Sequence, residues 1–438
     1  MKLDSRFFVK AFCIIFCFFA NLAVAQPDAE RELTVKKKYV KEIERIAKNA
    51  KVKLAFKTIE ALEPRTLSDH ILLNEIPAPP FGEERRAKKF AEMLLEAGAD
   101  SVWLDEEGNV LALRKGKKRE RVITLDGHLD TVFPEETDVT VKTRGDTLFA
   151  PGIGDDTRGL IVVLTVLRAL EEANIENNAD VLFIGTVGEE GKGDLRGMKH
   201  LFRNGGPKID AWVSIDGGNM ERIVTGGLGS HRYRVTFRGP GGHSWGSFGL
   251  VNPHHALGAA VHYFTQAADK FTAKGARTSY NVGRIGGGTS INAIPFESWM
   301  EVDMRSESDA RLNGIDSLFQ IAVKRALEDQ NKMRRSGPEL TVEVEKIGDR
   351  PSGKVSPDSP LVQRALAATQ FFGVTPSLRT ASTNSNIPIS MGVPAVTLSR
   401  GGDGGGAHSP SEWWLNKDGH RAIQNALLIL LAEAGLAK

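Results

Sequence analysis

Apolar and polar positions follow two different periods along the chain, and together they predict an alternation of strands and helices. Short, largely apolar runs predict strands at Arg121–Leu125, Val181–Thr186, Ala211–Ile215 and Ala395–Leu398. Longer segments predict helices at Glu83–Ala99 and Leu160–Leu170. Strands without polar alternation are typical of a parallel sheet covered on both faces. The pattern therefore predicts an α/β fold, with a mainly parallel sheet that has helices on both faces.

A stretch in the middle of the chain follows another pattern. Three segments with alternating polarity predict strands at His231–Phe237, Ser298–Met304 and Leu340–Glu345, and helices are predicted between them at Pro253–Ala273 and Ala310–Gln330. Two helices on one small sheet predict a smaller α+β domain over residues 229–347. It would interrupt a catalytic domain made of residues 61–228 and 348–438, and the length of 438 residues agrees with two domains.

The N-terminus has the features of a secretory signal peptide over residues 1–25. A basic stretch precedes the apolar segment Ala11–Ala25, which ends Ala-Val-Ala before Gln26. We expect cleavage after Ala25, a secreted or periplasmic protein and no stable membrane insertion afterwards. An uncleaved anchor remains the alternative, although the apolar run is short for a membrane span. Residues 26–60 are predicted to be a helical extension, with an amphipathic helix within residues 27–54.

The cysteine and charge content argue against thiolate chemistry and against nucleic-acid binding. Both cysteines, Cys13 and Cys17, lie in the predicted signal peptide, so the mature chain would have neither a disulfide nor a thiolate metal site. The formal net charge of +2 also arises within residues 1–25, and the remaining chain is balanced. Phosphate binding needs a concentrated basic excess, so we expect no nucleic-acid partner.

Histidines and carboxylates recur at or near the ends of the predicted strands. They are His128 and Asp130 in GHLDTV, Asp155 and Asp156 in PGIGDD, Glu189 and Glu190 in GEEG, Asp216 in SIDGG and His408 in GGAHSP. Ligands gather beyond the carboxyl ends of strands in such sheets. Imidazole nitrogens and carboxylate oxygens bind zinc, and two ions can share one carboxylate. The set predicts a two-metal hydrolase.

Each motif also has an ordinary structural explanation when it is taken alone. Asp156 suits a helix N-cap, Asp216 suits the start of a turn, and the glycines before His408 suit a mobile loop. The spacing of His128 and Asp130 lets a carboxylate accept the imidazole N–H that does not face a metal, although a loop histidine explains that pair as well. The joint pattern carries the prediction, because five such signals fall at equivalent places of one fold.

The same motifs, in the same order, resemble the zinc peptidase superfamily that includes peptidase T, carboxypeptidase G, aminoacylase and the acetylornithine and succinyl-diaminopimelate deacylases. The resemblance runs from about Asp69 to the C-terminus. It implies that Asp155 bridges two zinc ions, for which cobalt or manganese could substitute. His128 and Asp216 would complete one site, and Glu190 and His408 the other.

The resemblance also implies roles beyond the metal ligands. Glu189 would be the general base, Asp130 would orient His128, and a cis peptide would follow the bridging aspartate. His243, in GPGGHSWG of the inserted dimerisation or lid domain, would reach across a homodimer to polarise the scissile carbonyl. Asn292 and Arg305 match substrate-binding positions. A loop His, a turn Asn and a surface Arg are the alternatives.

One motif departs from the superfamily. Many relatives carry a Gly-Thr/Ser-Asp string before the last strand, where this chain reads Thr383-Asn384-Ser385-Asn386. The departure puts any substrate contact from that loop in doubt.

The sequence thus predicts a secreted dinuclear zinc metallopeptidase. It would hydrolyse an amide bond in small peptides, as a di- or tripeptidase or as an aminopeptidase or carboxypeptidase, through a metal-bridging hydroxide and a Glu base. The alternatives are an N-acyl amino acid deacylase and a catalytically silent binding protein on the same fold. The sequence does not indicate the preferred side chains or which end of the peptide is held.

Overall fold

The computed structural model describes residues 33–437, so the signal peptide predicted at 1–25 lies outside the described residues. From Val35 onward the chain forms one compact unit. No helix within the described range combines the length and the apolar character that crossing a bilayer requires.

Helices and strands alternate over most of this range. The helices are α1 Lys37–Ala47, α2 Ala50–Ala61, α3 Glu63–Asn74, α4 Glu84–Glu96, α5 Thr157–Glu172, α6 Arg196–Leu201, α7 Pro253–Thr272, α8 Asp309–Lys332, α9 Pro360–Phe371, α10 Asn386–Ser390 and α11 Gly419–Ala434. The strands of the first half are β1 Ser101–Leu104, β2 Val110–Arg114, β3 Val122–His128, β4 Lys142–Arg144, β5 Thr147–Phe149, β6 Asp180–Thr186, β7 Ala211–Ile215 and β8 Arg222–Gly227. Those of the second half are β9 Gly229–Arg238, β10 Gly242–His243, β11 Thr278–Gly287, β12 Ala293–Ile294, β13 Glu297–Ser306, β14 Thr341–Arg350, β15 Gly353–Lys354, β16 Ser377–Ala381, β17 Ala395–Leu398, β18 Asp403–Gly405 and β19 Trp413–Leu415.

The central sheet has nine strands in the order β1-β2-β6-β3-β7-β17-β8-β15, with β16 also paired to β8. Its middle four strands, β6-β3-β7-β17, are all parallel, whereas β1, β2, β15 and β8 add antiparallel pairs at the two sides. Every residue of β6, β7 and β17 is buried, as their uninterrupted apolar sequences predict.

Helices cover both faces of this sheet. On one face Gly185 of β6 lies against Phe90 of α4, and α5 and α11 contact β3. On the other face Leu182 and Ile184 pack with Met198 of α6 in a separate apolar cluster. Alternate residues of a strand point to opposite faces, so β6 contributes to both cores. The predicted fold class is confirmed.

A second sheet, β11-β13-β9-β14, is antiparallel throughout. Its inner face packs on α7 and α8 around Phe237, Phe264 and Phe319. The alternating burial of β13 leaves the other face to polar side chains such as Arg305. Each strand predicted for this region exists and is longer than its apolar pattern indicated.

The N-terminal segment forms two helices instead of the single amphipathic helix predicted. Helix α1 buries Tyr39, Ile43 and Ile46, and α2 begins where the side chain of Asn49 accepts a hydrogen bond from the Lys51 amide. An N-cap side chain of this kind stabilises the start of a helix, so a second helix begins here instead of the first continuing. Both helices pack on helices that cover the central sheet, α1 on α9 and α2 on α5.

Candidate metal centre

Three neighbouring parallel strands deliver the candidate ligands to one edge of the central sheet. His128 is the last residue of β3, Glu189 and Glu190 follow β6, and Asp216 follows β7 directly. Because β6, β3 and β7 are adjacent and parallel, these side chains meet beyond the same ends of the strands.

Loops bring the two remaining candidates to the same place. Asp155 lies in the turn between β5 and α5, and His408 follows β18 in the glycine-rich loop. His128 Nε2 lies 3.1 Å from Asp155 Oδ1, and His408 Nε2 lies 3.2 Å from Asp155 Oδ2. His408 Nε2 is also 2.9 Å from Glu190 Oε1. The two carboxylate oxygens of Asp155 therefore face two different histidines.

The donor atoms form two sets that share Asp155. His128, Asp155 and Asp216 offer ligand atoms within 4.8 Å of one another, and so do Asp155, Glu190 and His408. These are the two sets that the resemblance implies. A third combination, His128 with Glu189 and Glu190, also has ligand atoms within 4.8 Å of one another. Glu189 therefore lies close enough to the ligand sets to contact a water or substrate bound there.

The electrostatics of the cluster favour a cation. Burial raises the pKa of Glu189 and of Asp216, and the nearby carboxylates Glu190 and Asp155, respectively, raise them further. Burial also raises the pKa of Asp155, but hydrogen bonds from His128 and His408 outweigh it and hold that pKa below its ordinary value. Crowded, desolvated carboxylates need a positive partner. Two imidazoles and three carboxylates around one space fit a pair of divalent ions that bind nitrogen and oxygen.

The turn that presents Asp155 is held by Glu412, a residue that sequence reasoning missed. Its carboxylate accepts hydrogen bonds from the amides of Gly152 at 2.8 Å and of Gly154 and Asp155 at 2.9 Å. The Asp155–Asp156 peptide bond is cis, as the resemblance implies. Asp156 Oδ2 accepts from the His128 amide at 3.2 Å and so ties the turn to β3.

His128 is oriented by Asp130, but through a different group than predicted. Nδ1 of His128 lies 2.9 Å from the Asp130 carbonyl oxygen and 3.7 Å from its carboxylate. A carbonyl oxygen can only accept, so Nδ1 carries the proton and Nε2 is free for a metal. The Asp130 carboxylate instead accepts the amides of Glu189 and Glu190, at 2.9 and 2.7 Å. It thereby positions the β6 loop, while the short hydrogen bond that orients the His128 ring goes to the Asp130 carbonyl oxygen rather than to the predicted carboxylate.

Arg350, at the end of β14, is a second residue that sequence reasoning missed. Its Nη1 lies 3.0 Å from Glu189 Oε1, and its Nη2 donates to the Glu189 backbone carbonyl. Nη1 also donates to Ser382 Oγ at 2.8 Å. Arg350 is buried and its charge opposes the rise in the pKa of Glu189. It lies 161 positions from Glu189 along the chain, so no local motif connects the two.

A cavity of about 420 Å³ opens on the cluster. Asp155, Glu190, Asp216 and His408 lie in its wall, and the second sheet contributes Arg305, which had been predicted as a substrate contact. Arg305 is oriented by Asp303, whose Oδ2 lies 2.7 Å from Arg305 Nε.

His243 and Asn292 do not line this cavity. His243 is on β10 and Asn292 directly precedes β12, its partner strand, where the Ser244 amide donates to the Asn292 carbonyl at 2.9 Å. The side chain of His243 is exposed. Within one copy of the chain, the structure does not bring either residue to the metal cluster.

The loop that departs from the superfamily pattern is mainly structural. Thr383 lines the cavity, but Asn384 and Asn386 are buried beneath it. Asn384 Nδ2 donates to Asp126 Oδ2 at 2.6 Å and to Thr186 Oγ1 at 2.7 Å. The loop therefore braces β3 and β6 from below, while Thr383 is its one member at the cavity wall.

An α/β sheet whose parallel strands end in a shared cluster of imidazoles and carboxylates defines a metal-dependent hydrolase. Residues 124–431 match the model of peptidase family M20/M25/M40, and the chain belongs to this family. It is an enzyme that acts on amide bonds, of the metallopeptidase and amidohydrolase type.

Individual relatives agree with this assignment. The chain is 26% identical over 343 residues to a putative [LysW]-lysine/[LysW]-ornithine hydrolase of Pyrococcus abyssi, an alignment that covers 76% of this chain and 84% of the relative. It is 25% identical over 273 residues to carboxypeptidase G2 of a Pseudomonas species, covering 61% and 62% of the two chains. The crystal structure of the aminopeptidase PepT from Bacillus cereus superposes with a TM-score of 0.67 at 20% identity, covering 85% of this chain and 98% of that one.

Proposed function

We propose that the chain is a dinuclear zinc peptidase that cleaves small peptides. The observation that carries the proposal is the sharing of Asp155 between two ligand sets, His128 with Asp216 and Glu190 with His408. When bound there, two zinc ions would supply Lewis acidity to a carbonyl and lower the pKa of a water. Cobalt and manganese suit the same nitrogen and oxygen donors.

Glu189 is the proposed general base. Its carboxyl is buried beside the ligand sets, and its raised pKa lets it hold a proton during turnover. It takes a proton from the attacking water and delivers it to the leaving amine. Arg350 fixes the carboxylate by its 3.0 Å contact, and Asp130 fixes the backbone on which Glu189 stands. The base is therefore positioned before substrate arrives.

Arg305 supports a substrate with a free carboxylate. Its guanidinium group lies in the cavity wall and can bind both oxygens of a carboxylate in its planar fork. A small peptide offers such a group at its C-terminus, and so does an N-acyl amino acid. A related carboxypeptidase favours the first class, and deacylation of N-acyl amino acids remains the second candidate.

We propose a homodimer in which His243 and Asn292 serve the partner's site. They are surrounded by unusually exposed apolar side chains, Trp245 at 87%, Phe248 at 72% and Ile291 at 103% relative exposure. Large apolar side chains that are exposed near one another in this way are typical of a protein interface. A second copy seated there would bury these side chains and place His243 where donors stabilise a developing oxyanion.

We also propose that the mature protein is secreted or periplasmic. The support is the basic, apolar and Ala-Val-Ala sequence of residues 1–25. N-terminal sequencing of the protein from the producing cell would give Gln26 as the first residue. An unprocessed Met1 would overturn the proposal.

A substrate panel with zinc tests the proposed activity. Dipeptides, tripeptides and N-acetyl amino acids are assayed with protein dialysed against chelator, before and after zinc is restored. We expect no turnover without zinc, and faster hydrolysis of peptides than of acyl amino acids with it. The reverse order would select the deacylase, and hydrolysis of nothing in the panel would contradict both.

A further inference from the structure

The wall of the metal-site cavity carries more positive charge than the proposed chemistry uses. Five arginines line it: Arg222, Arg232, Arg305, Arg350 and Arg400. Some of these charges have a partner within the protein and others do not.

Three of the five are engaged. Arg232 Nε lies 2.9 Å from Asp303 Oδ1, and Arg305 Nε lies 2.7 Å from Asp303 Oδ2, so the two share one carboxylate. Arg350 is paired with Glu189. These contacts orient the three guanidinium groups and explain their positions.

Arg222 and Arg400 differ from the others. Neither donates a side-chain hydrogen bond or forms an ion pair with any residue in the described part of the chain. Arg400 is nevertheless 92% buried, at 8% relative exposure, and Arg222 is half-buried. A buried guanidinium group without a hydrogen-bond acceptor is costly, so such a group at a cavity wall is suited to an anion that enters from the cavity.

The two side chains border the same space. A Cβ placed on Gly217 would lie 3.4 Å from Arg400 Nη1 and 3.5 Å from Arg222 Nη1. Gly217 has a φ of +39° and, like Gly218, is part of the cavity wall. A side chain at Gly217 would fill the space between the guanidinium groups, and glycine keeps it open. The strand end that carries Asp216 thus also carries the gap between two unpaired cations.

The carboxylates nearby do not account for this charge. Both arginines act on Asp216 by lowering the pKa of its carboxyl, less than burial raises it. Asp216 and Asp155 belong to the ligand sets, whose charge divalent ions would neutralise. Burial likewise raises the pKa of Asp156, and Arg400 acts against this rise. Neither arginine, however, forms an ion pair with a carboxylate in the described part of the chain.

We propose that Arg222 and Arg400 form a second carboxylate subsite, so that the preferred substrate is acidic, with a side-chain carboxylate in addition to the group bound by Arg305. This inference rests on the proposed amide hydrolase function and names its substrate class. The two guanidinium groups would each donate to the same carboxylate beside Gly217. A charge-assisted pair of this kind discriminates against a neutral isostere by roughly ten- to hundredfold.

Peptide pairs that differ only in charge test the subsite. Ala-Glu is compared with Ala-Gln, and Asp-Ala with Asn-Ala. The two pairs place the acidic residue on opposite sides of the scissile bond, since the subsite could serve either side. We expect the acidic member of at least one pair to have a kcat/KM about tenfold or more above its amide counterpart. Calorimetric binding of the same pair to the Glu189→Gln variant should show the same preference without turnover.

Arginine variants then assign the preference. Arg222→Gln and Arg400→Gln should each reduce the acid-to-amide ratio of kcat/KM at least about fivefold. This corresponds to about half or more of the free energy that one charge-assisted hydrogen bond contributes. Arg284→Gln, an exposed arginine on β11 outside the cavity, should leave the ratio unchanged. If Arg400→Gln does not fold, Arg222→Gln decides alone, since Arg222 is half-exposed.

Two results would contradict the second carboxylate subsite without contradicting the proposed hydrolase function. One is equal cleavage of acidic and amide peptides by the wild type. The other is an equal loss of kcat/KM on acidic and amide peptides in the arginine variants. Equal loss would show that the arginines act on the metal ligands. Cleavage of none of the four peptides, nor of any acyl amino acid, would instead remove the hydrolase proposal and the subsite with it.

Discussion

Glu412 determines the conformation of the turn that presents Asp155. One buried carboxylate accepts three amides of that turn, from Gly152, Gly154 and Asp155. Mutation of a residue that holds a metal ligand by hydrogen bonds typically lowers metal affinity by about ten- to hundredfold. Glu412 therefore supports the proposed metal centre without binding to it.

Replacing Glu412 by Gln should weaken the centre measurably. The amide supplies one acceptor oxygen where the carboxylate supplies two, and its NH2 group faces a backbone donor. We expect about a 10- to 100-fold loss of zinc affinity and a loss of about 1–3 kcal/mol in the free energy of unfolding.

Zinc titration by calorimetry and urea unfolding measure the two effects. Glu120→Gln, an exposed residue on the loop before β3, is the matched control and should change neither. Wild-type zinc affinity in Glu412→Gln would contradict the role given to Glu412.

Single residues could be predicted where a motif and a strand end coincide. His128, Glu190 and Asp216 qualify, because each belongs to a motif at or shortly after the end of an apolar run. Arg350 and Glu412 could not be predicted, since their partners are remote in sequence and their own surroundings resemble an ordinary strand end and loop. The acceptor for His128 was mistaken because spacing does not distinguish a carbonyl from a carboxylate.

The loop from Thr383 to Asn386 joins elements that the metal centre depends on. Asn384 holds Asp126 of β3 and Thr186 of β6, the strands that lead to His128 and Glu189. Asn386 Nδ2 donates at 2.9 Å to the carbonyls of Leu228 and Pro351, the two points where the chain passes between the sheets. One short loop thus braces the strand ends and both crossings.

Exchanging Asn384 and Asp126 tests this brace. Asn384→Asp places two carboxylates in contact in a buried site, which we expect to cost about 2–4 kcal/mol in the free energy of unfolding. The double variant Asp126→Asn/Asn384→Asp restores one carboxylate and one amide and should recover most of the loss. Urea unfolding of both proteins measures it. A double variant no more stable than Asn384→Asp would show that the pair does not interact as described.

Elements were predictable where burial is complete. Strands β6, β7 and β17 match their apolar runs to within a residue, and α7 and α8 match theirs to within two. Two-residue strands such as β10 and β15 leave no periodic signal. The break between α1 and α2 depends on one capping residue, Asn49, within a continuous amphipathic pattern.

Assembly of two copies is expected from the exposed surface around His243. Trp245→Glu places a charge on that surface, so the mature protein should change from dimer to monomer. If His243 serves the partner's site, activity should fall at least tenfold with the dimer, since a single oxyanion donor is worth about a hundredfold or more. Sedimentation and kcat are measured on the same samples.

Ile321→Glu is the matched control, because Ile321 is 63% exposed on α8 and is not part of the β10–β12 pairing. It should remain dimeric and active. A wild-type protein that sediments as a monomer, with His243→Ala fully active, would contradict the dimer.

At the level of the molecule, the sequence predicts one shared site from five separate motifs, and the fold brings all five to one edge of the sheet. The substrate is less accessible to such reasoning, because the cavity wall is assembled from both sheets and from loops. Arg222, Arg305 and Arg400 meet there from strands and loops distant in the chain.

The turnover of Glu189→Gln at verified metal occupancy tests the mechanism most directly. Zinc content by elemental analysis and kcat on a cleaved peptide are determined for the variant and the wild type. We expect two zinc ions per chain in both proteins and a kcat at least about a hundredfold lower in the variant, because general base catalysis is typically worth 10²–10⁴-fold. Near-normal turnover with two ions bound would show that Glu189 is not the base, and one ion or none in the wild type would contradict the shared Asp155 site itself.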